Sequence, residues 1–547
     1  MVPILSLVVL PMGPLVFPRA YLCLLFAYFA SFLYSQVNHL CKFYITSCRI
    51  QQTIKNWNSR LSHIEVPTEE HEGSSSSRAG SPNVTRERTT TSLLEIEEKL
   101  QYYHDPHYVH AFILPNYCEP EGLLRDTIER LANHRNAQSH YVIILAMEAS
   151  ESGYEAKGER LATWFGGRFL DFVVTGHPAN IPGESRGKGS NVAYAARQGA
   201  AALLHNHPQL SMDRVVLTVT DADAAIPELY VREMEDALDR ASDPTKVLLA
   251  PPIFFSRNCF DVPAAVRVTD ITWSAMVMSN LSNSRGLAFP CSTYSLSLAL
   301  ADRVGYWDTG ADAVGEDMHM FLKCFFKTDG QARTVPIDVP INLTNVQTDG
   351  YFANMNARYV QAKRHYNGVA DVAYTLRNAY QSTRMTALDK FLICLKVMEA
   401  HMIPVTSGWL MFAAVPLMQL LLFPPYQVIA LVSPIDNPLL TSEFYANLWN
   451  IVKIITVFLP FPLFGTLAVY EQLHRSVDRD LLHKSRHDSR QWKNLFDYIT
   501  LPIAAWLFMT LPSTLACMKR FRRREEQYIV AEKFFKEDIA SKLDAII

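Results

Sequence analysis

Asp221 and Asp223 flank Ala222 directly after the apolar run VVLTVT, so two carboxylates stand at the end of a buried segment. Paired hard-oxygen ligands of this kind suit Mg2+ or Mn2+. An ion held there would bridge two oxygens of a diphosphate and offset the charge that develops as a sugar-phosphate bond breaks. The same tripeptide also fits an acidic turn that caps the following helix. A second cluster, Arg186-Gly187-Lys188-Gly189-Ser190-Asn191, is cationic and carries two glycines, which let the backbone approach a phosphate or uridine closely. The helix that follows would favour an anion at its N-terminus. A surface turn with Ser190 or Asn191 as helix cap is the plainer reading.

Two further motifs lie downstream. Gly315-Glu316-Asp317 precedes the apolar MHMFLKCFF, and a carboxylate here can take the proton of an attacking hydroxyl, which makes Asp317 the candidate base. Acids in a first helical turn also simply complement the helix dipole. In Gln361-Ala362-Lys363-Arg364-His365, helical spacing puts Gln361 and Arg364 on one face. The planar fork of Arg364 suits a diphosphate. A basic juxtamembrane helix drawn to anionic lipid accounts for the same residues.

The elements that must hold these motifs follow from hydrophobic patterning. Apolar runs at Val109–Leu114, Tyr141–Met147, Phe169–Thr175, Val215–Thr220 and Val247–Ile253 read as buried strands. Helical patterns at Gly122–Asn133, Val192–Leu204 and Pro227–Asp239 separate them, the last with Pro at its first position. Alternation of this sort predicts an α/β domain with a mostly parallel sheet and helices on both faces. Ligands of such sheets sit beyond the carboxyl ends of the strands. There the sequence concentrates its polar residues: Pro115 to Glu119, Glu148, and Asp221 to Asp223.

The chain of 547 residues is 49% hydrophobic and 19% charged, with the apolar residues clustered, which points to membrane segments. A net charge of -3 gives no basic surface for nucleic acid. The nine cysteines form no CxxC pair and fit a reducing compartment. Residues 1–36 contain at least one spanning helix. Residues 37–92 are a juxtamembrane stretch and a Ser/Thr-rich disordered linker, 93–400 the α/β domain, 401–518 a membrane region with three apolar segments, and 519–547 a charged tail. Lys42, Arg49, Lys55 and Arg60 after the first span, against no Lys or Arg from Pro434 to Asn447, place the middle of a multi-pass chain in the cytosol. Basic residues on both sides of Tyr498–Met518, which contains Pro502 and Pro512, favour a re-entrant or interfacial segment there.

In chain order, the Pro115-x-Tyr117 start, the acid after the second strand, the Gly-Lys-Gly loop, the DxD, the Glu-Asp pair and the QxxR resemble glycosyltransferase family 2. The likeness is to its membrane-integrated synthases of the cellulose, chitin and hyaluronan type, and it spans Tyr108 to about Tyr374. The resemblance implies a GT-A type nucleotide-sugar-binding domain and a single in-line displacement that inverts the anomeric carbon. By the same resemblance, Pro115, Tyr117, Glu119, Glu148 and Lys188 form the nucleotide side, and Asp221 and Asp223 take the diphosphate and an Mg2+ or Mn2+ ion. Asp317 is then the base, and Gln361 with Arg364 holds the diphosphate end. Glu316 and His365 are expected on the acceptor side, and Trp273, Tyr294 and Trp307 fit either sugar platforms there or the core.

Three departures stand out: Glu148 where the family usually has Asp, Cys118 where Asn often stands, and His365 where processive members have Trp. An imidazole offers a smaller stacking face than indole, which weakens the case for long-chain polymerisation. The expected partners are a nucleotide sugar, most simply a UDP-sugar, and a glycan or lipid acceptor at the plasma membrane, Golgi or endoplasmic reticulum. Ceramide glucosyltransferases share this plan, and a non-catalytic membrane scaffold that keeps the fold is the alternative from another class.

Overall fold

A computed structural model describes residues 2–62, 107–185, 187–310, 313, 315–423, 437, 439, 441–484 and 490–521. The linker assigned to Pro67–Ser92, Arg186 of the Gly-Lys-Gly loop, and Arg486 and Arg522 to Arg524 of the basic stretches lie outside those residues.

The chain begins with α1 (Val2–Val16) and α2 (Pro18–Ser62). At about 1.5 Å per residue, the 45 residues of α2 reach about 68 Å, more than twice the hydrocarbon thickness of about 30 Å. One helix therefore serves two environments. Its first half packs Tyr21, Leu25 and Phe29 against Leu410, Met418 and Val452 of later apolar helices. The second half buries Phe43, Ile50 and Ile54 against Phe254, Ile271 and Met278 of the α/β domain.

In that domain β1 (Val109–Asn116) leads through α3 (Glu121–Ala132) to β2 (Tyr141–Glu148), then through α4 (Tyr154–Phe165) to β3 (Asp171–His177). Next come α5 (Lys188–Asn206), β4 (Val215–Val219), α6 (Glu228–Arg240), β5 (Val247–Ala250), β6 (Ile253–Phe254), α7 (Ala264–Leu281) and β7 (Tyr294–Ser297). The domain closes with α8 (Glu316–Lys327), β8 (Arg333–Pro336), β9 (Ile341–Asn342), α9 (Tyr351–Tyr366) and α10 (Ala370–Gln381). Two expectations shift. The run Val247–Ile253 is split into β5 and β6 by Pro251 and Pro252, whose nitrogens cannot donate to a ladder. Pro227 is the cap of α6 and not its first residue.

Among the described residues the main sheet has the order β3-β2-β1-β4-β7-β5-β8. Its pairs β1 with β2, β1 with β4, β2 with β3 and β5 with β8 are parallel, while β7 runs antiparallel to both neighbours. Alternate residues of β1 serve opposite faces. Phe112 and Leu114 meet Leu124, Ile128 and Phe165, whereas Ala111 and Ile113 meet Val192, Ala196 and Leu203. Both faces are thereby covered, and the carboxyl ends of β1 to β4 emerge along one edge.

The C-terminal helices are α11 (Ala387–Leu422), α12 (Glu443–Phe458) and α13 (Pro460–Asp480). A 3-10 stretch (Trp492–Thr500), α14 (Leu501–Ala505), a π-helical turn (Trp506–Thr510) and α15 (Leu511–Phe521) complete the described chain. Among the described residues four segments are long and apolar enough to cross a membrane: Pro18–Arg60, Ala387–Leu422, Glu443–Asp480 and Trp492–Phe521. Their outward residues, such as Leu24, Phe412, Ile454 and Phe464, are more than half exposed. Apolar outer faces on long helices invert the pattern of a water-soluble surface and suit lipid.

Candidate active site

The antiparallel pairing of β4 with β7 assembles the centre of the site. Val219 lies opposite Tyr294, and two residues further the same register sets Asp221 opposite Ser292. The hydroxyl of Ser292 donates to Asp221 Oδ2 at 2.6 Å, and its backbone N–H donates to Asp317 Oδ2 at 3.1 Å. Ser292 sits at φ 64°, an uncommon left-handed conformation for a non-glycine residue. Through it the DxD and the candidate base are joined.

Asp317 is the second residue of α8, where its Oδ1 also accepts the N–H of Met318 at 2.8 Å. Adjacent residues on a helix point about 100° apart, since 3.6 residues make a turn, so Glu316 faces elsewhere. Its carboxylate stands 3.1 Å from the Lys188 ammonium and accepts the Tyr294 hydroxyl. Glu316 is thus a buried partner of Lys188, a pairing set by the phase of the helix. Burial pushes its carboxyl up, and Lys188 pulls it back. For Lys188 burial works against the charge, but Asp221 at 2.8 Å and Glu316 hold the ammonium well above the usual lysine range. A fixed positive charge therefore lies beside the DxD.

Asp223 is buried, and its Oδ2 accepts the N–H of Thr344 at 3.1 Å together with the Thr344 hydroxyl. The loop after β1 is held as firmly. Lys157 of α4 donates to Glu119 O at 2.5 Å, to Asn116 Oδ1 at 3.2 Å and to Glu151 Oε1 at 2.8 Å. Glu151 Oε2 accepts Asn116 Nδ2 at 2.7 Å and the N–H of Cys118 at 2.8 Å. Cys118 stands at φ 59°, which explains why Asn, tolerant of that conformation, suits the position. Gly187, at φ 151°, caps α5 in backbone space that essentially only Gly enters.

Register also pairs Glu148 with His177. The His177 ring bridges Glu148 Oε2 at 3.1 Å and Glu184 Oε2 at 3.0 Å, so the acid after β2 has a set orientation. Opposite, α9 presents Gln361, whose Oε1 accepts Arg358 Nη1 at 2.7 Å, while Arg358 Nη2 is paired with Asp270 of α7 at 2.7 Å. Gln361 and Arg364 both face the site, as helical spacing predicts. His365 is exposed on the cavity wall, with the guanidinium groups of Arg364 and Arg358 near it. Its ring lies 6.0 Å from that of Trp273.

One cavity of about 1080 Å³ joins these groups: Pro115, Tyr117, Glu119, Glu148 and Lys188 on one side, Asp221, Asp223, Glu316 and Asp317 at the centre, and Trp273, Gln361, Arg364 and His365 on the other. Tyr294 and Trp307 do not reach it. Both are buried, with Trp307 Nε1 donating to the Tyr294 hydroxyl at 2.5 Å. They support Glu316 from within the core, the alternative to an acceptor-side platform that the sequence offers for both.

Residues that sequence reasoning missed are Ser292, Thr344, Lys157, Glu151, Arg358 and His177. No local signal marks the first two. Lys157 and Glu151 carry opposite charges in a loop and the helix after it, which is a common pattern.

Behind the candidate base, His319 ties α8 to its neighbours. Its Nδ1 meets Asp371 Oδ1 at 2.5 Å and its Nε2 meets Asp308 Oδ2 at 3.1 Å. Burial opposes protonation, yet the bonds to Asp308 and Asp371 raise His319 from 6.5 to about 9. A folded value above the unfolded one means that this contribution to stability is complete below pH 6.5 and disappears as pH rises through about 9. The apparent melting temperature of His319→Gln should therefore lie furthest below the parent's near pH 6 and approach it by pH 9.5. A gap independent of pH would exclude a charged His319.

Residues 216–434 match the family described as Glycosyl transferase family group 2. No curated protein matches the chain.

Proposed function

From residues 216–434, which belong to glycosyl transferase family group 2, we infer that this membrane-associated glycosyltransferase moves a sugar from a UDP-sugar to an acceptor hydroxyl with inversion. The catalytic domain faces the cytosol at the plasma membrane, Golgi or endoplasmic reticulum, and the chain crosses the membrane more than once. The observation that carries this reading is the joining of Asp221 and Asp317 through Ser292, with Lys188 on the same carboxylate.

In this mechanism Asp317 Oδ accepts the proton of the acceptor hydroxyl as its oxygen attacks the anomeric carbon and the carbon-oxygen bond to the diphosphate breaks. Lys188 and Arg364 offset the charge left on the diphosphate. Glu148, held by His177, and Glu119 with Tyr117 contact the nucleotide. Trp273, with His365 beside it, supplies the flat face against which an acceptor-side sugar or head group rests.

Among the described residues no group of three or more His, Cys, Asp and Glu side chains is arranged to hold a metal ion. The two carboxylates on the cavity wall nonetheless fit Mg2+ or Mn2+, since such ions commonly take one or two protein carboxylates and complete their shell with phosphate oxygens and water. Asp221 and Asp223 would hold the ion, and it would supply Lewis-acid neutralisation of the diphosphate.

Full-length protein purified in detergent and given a panel of labelled nucleotide sugars, with and without Mg2+ or Mn2+, should hydrolyse or transfer from one donor in a metal-dependent way. Nucleotide binding without turnover on any donor would instead favour a scaffold that keeps the fold.

A further inference from the structure

The cavity that holds Asp221 and Asp317 does not end at the α/β domain. It continues between α2, α11, α13 and the C-terminal helices, all parts of segments long and apolar enough to cross a membrane. Its walls change character along the way. Next to the carboxylates come Gln361 and Arg364; a polar shelf follows, where Ser35 of α2 donates to Glu399 of α11 at 3.3 Å. Beyond the shelf the lining is mostly apolar, with Pro404 and Met411 of α11, Leu463 of α13, Leu501 of α14 and Met509, interrupted by Ser407, Thr466 and Thr510.

Met509 belongs to the π-helical turn Trp506–Thr510, and such turns gather at functional sites because the extra residue displaces side chains. Close by, Gly408 of α11 packs so tightly on Thr510 that a Cβ there would overlap it. From Lys396 to Met411, both on the cavity wall, α11 runs about 22 Å at about 1.5 Å per residue. That reach suits an extended aliphatic chain.

The solvent argument separates two acceptors. A hydrocarbon chain moves from the bilayer into this apolar arm without changing its environment, because lipid tails are as apolar as the wall. A glycan in the same arm would give up hydrogen bonds to water at about 1–3 kcal/mol for each group left unpaired. We propose that the acceptor is a membrane lipid with a free head-group hydroxyl, its aliphatic part lying against Met411, Leu463 and Met509 and its hydroxyl reaching Asp317. This deepens the glycosyltransferase reading and rests on it.

The test uses full-length protein in nanodiscs made from a total membrane lipid extract, with labelled UDP-sugars, Mn2+ and chloroform extraction of the products. Label should enter the chloroform phase. It should fall at least tenfold in Met411→Trp and in Leu463→Trp, with calorimetric binding of UDP as the control for folding. Label confined to water-soluble or polymeric product would overturn the lipid acceptor and leave the glycosyltransferase intact, as would chloroform-soluble label untouched by either variant. Neither transfer nor donor hydrolysis with any UDP-sugar would take down both readings.

Discussion

Asp317→Asn should leave binding of UDP within about twofold of the parent and lower sugar transfer by about two to four orders of magnitude, the usual worth of a positioned acid or base. The carboxylate is oriented by two backbone donors, Met318 N–H on one oxygen and Ser292 N–H on the other. Asparagine keeps the shape and one acceptor, so the start of α8 stays in place while the capacity to take a proton is lost. The effect therefore falls on turnover and not on donor affinity. Single-turnover transfer beside calorimetry with UDP separates the two. Transfer at the parent's rate would assign the proton to another group, and a fall in UDP affinity matching the loss of turnover would make Asp317 a donor-binding residue.

The second large effect belongs to Asp223. Removing its side chain in Asp223→Ala strands the half-buried N–H and hydroxyl of Thr344, at a cost in stability of at most about 1–3 kcal/mol. Loss of activity in that variant alone would be ambiguous. Asp223→Asn keeps an acceptor for Thr344 and removes the charge, so it should melt close to the parent. Its Mn2+-dependent enhancement of UDP binding should nonetheless drop by more than about tenfold, the loss that even an outer-shell partner of a metal causes. Titration of Mn2+ at fixed UDP reads this directly. Unaltered metal dependence in both variants would remove Asp223 from the ligand set and leave it a structural anchor for Thr344.

Both experiments bear on a site whose parts were unequally visible in the chain. The strands, the helices around them and the apolar segments rest on hydrophobic period and length, which are properties of neighbouring residues, so they could be read directly. The carboxyl ends of β1, β2 and β4 followed from the same alternation, and with them the places of Glu119, Glu148 and Asp221. What was open at each motif was its company. Asp221 and Asp223 also fit an acidic turn, and no local pattern told which residues, here Lys188, Ser292 and Thr344, would stand against them.

Aromatic residues show the limit most clearly. Trp273, Tyr294 and Trp307 all carry faces that could stack a sugar, yet only Trp273 lines the cavity, because the other two are inside the core. Side-chain chemistry is the same in both settings, and burial is decided by contacts far along the chain.

The sequence by itself determined that two carboxylates end a buried strand, that an α/β domain lies between apolar helices, and that basic and acidic motifs recur in an order similar to family 2 glycosyltransferases. Tertiary structure decided that Asp221 and Asp317 share Ser292, that Glu316 turns towards Lys188, and that the cavity runs on among the membrane helices. The physical reason is range: propensity and periodicity act over a turn or a strand, whereas Asp221 and Ser292, 71 residues apart, meet through a strand pairing whose register no local pattern records.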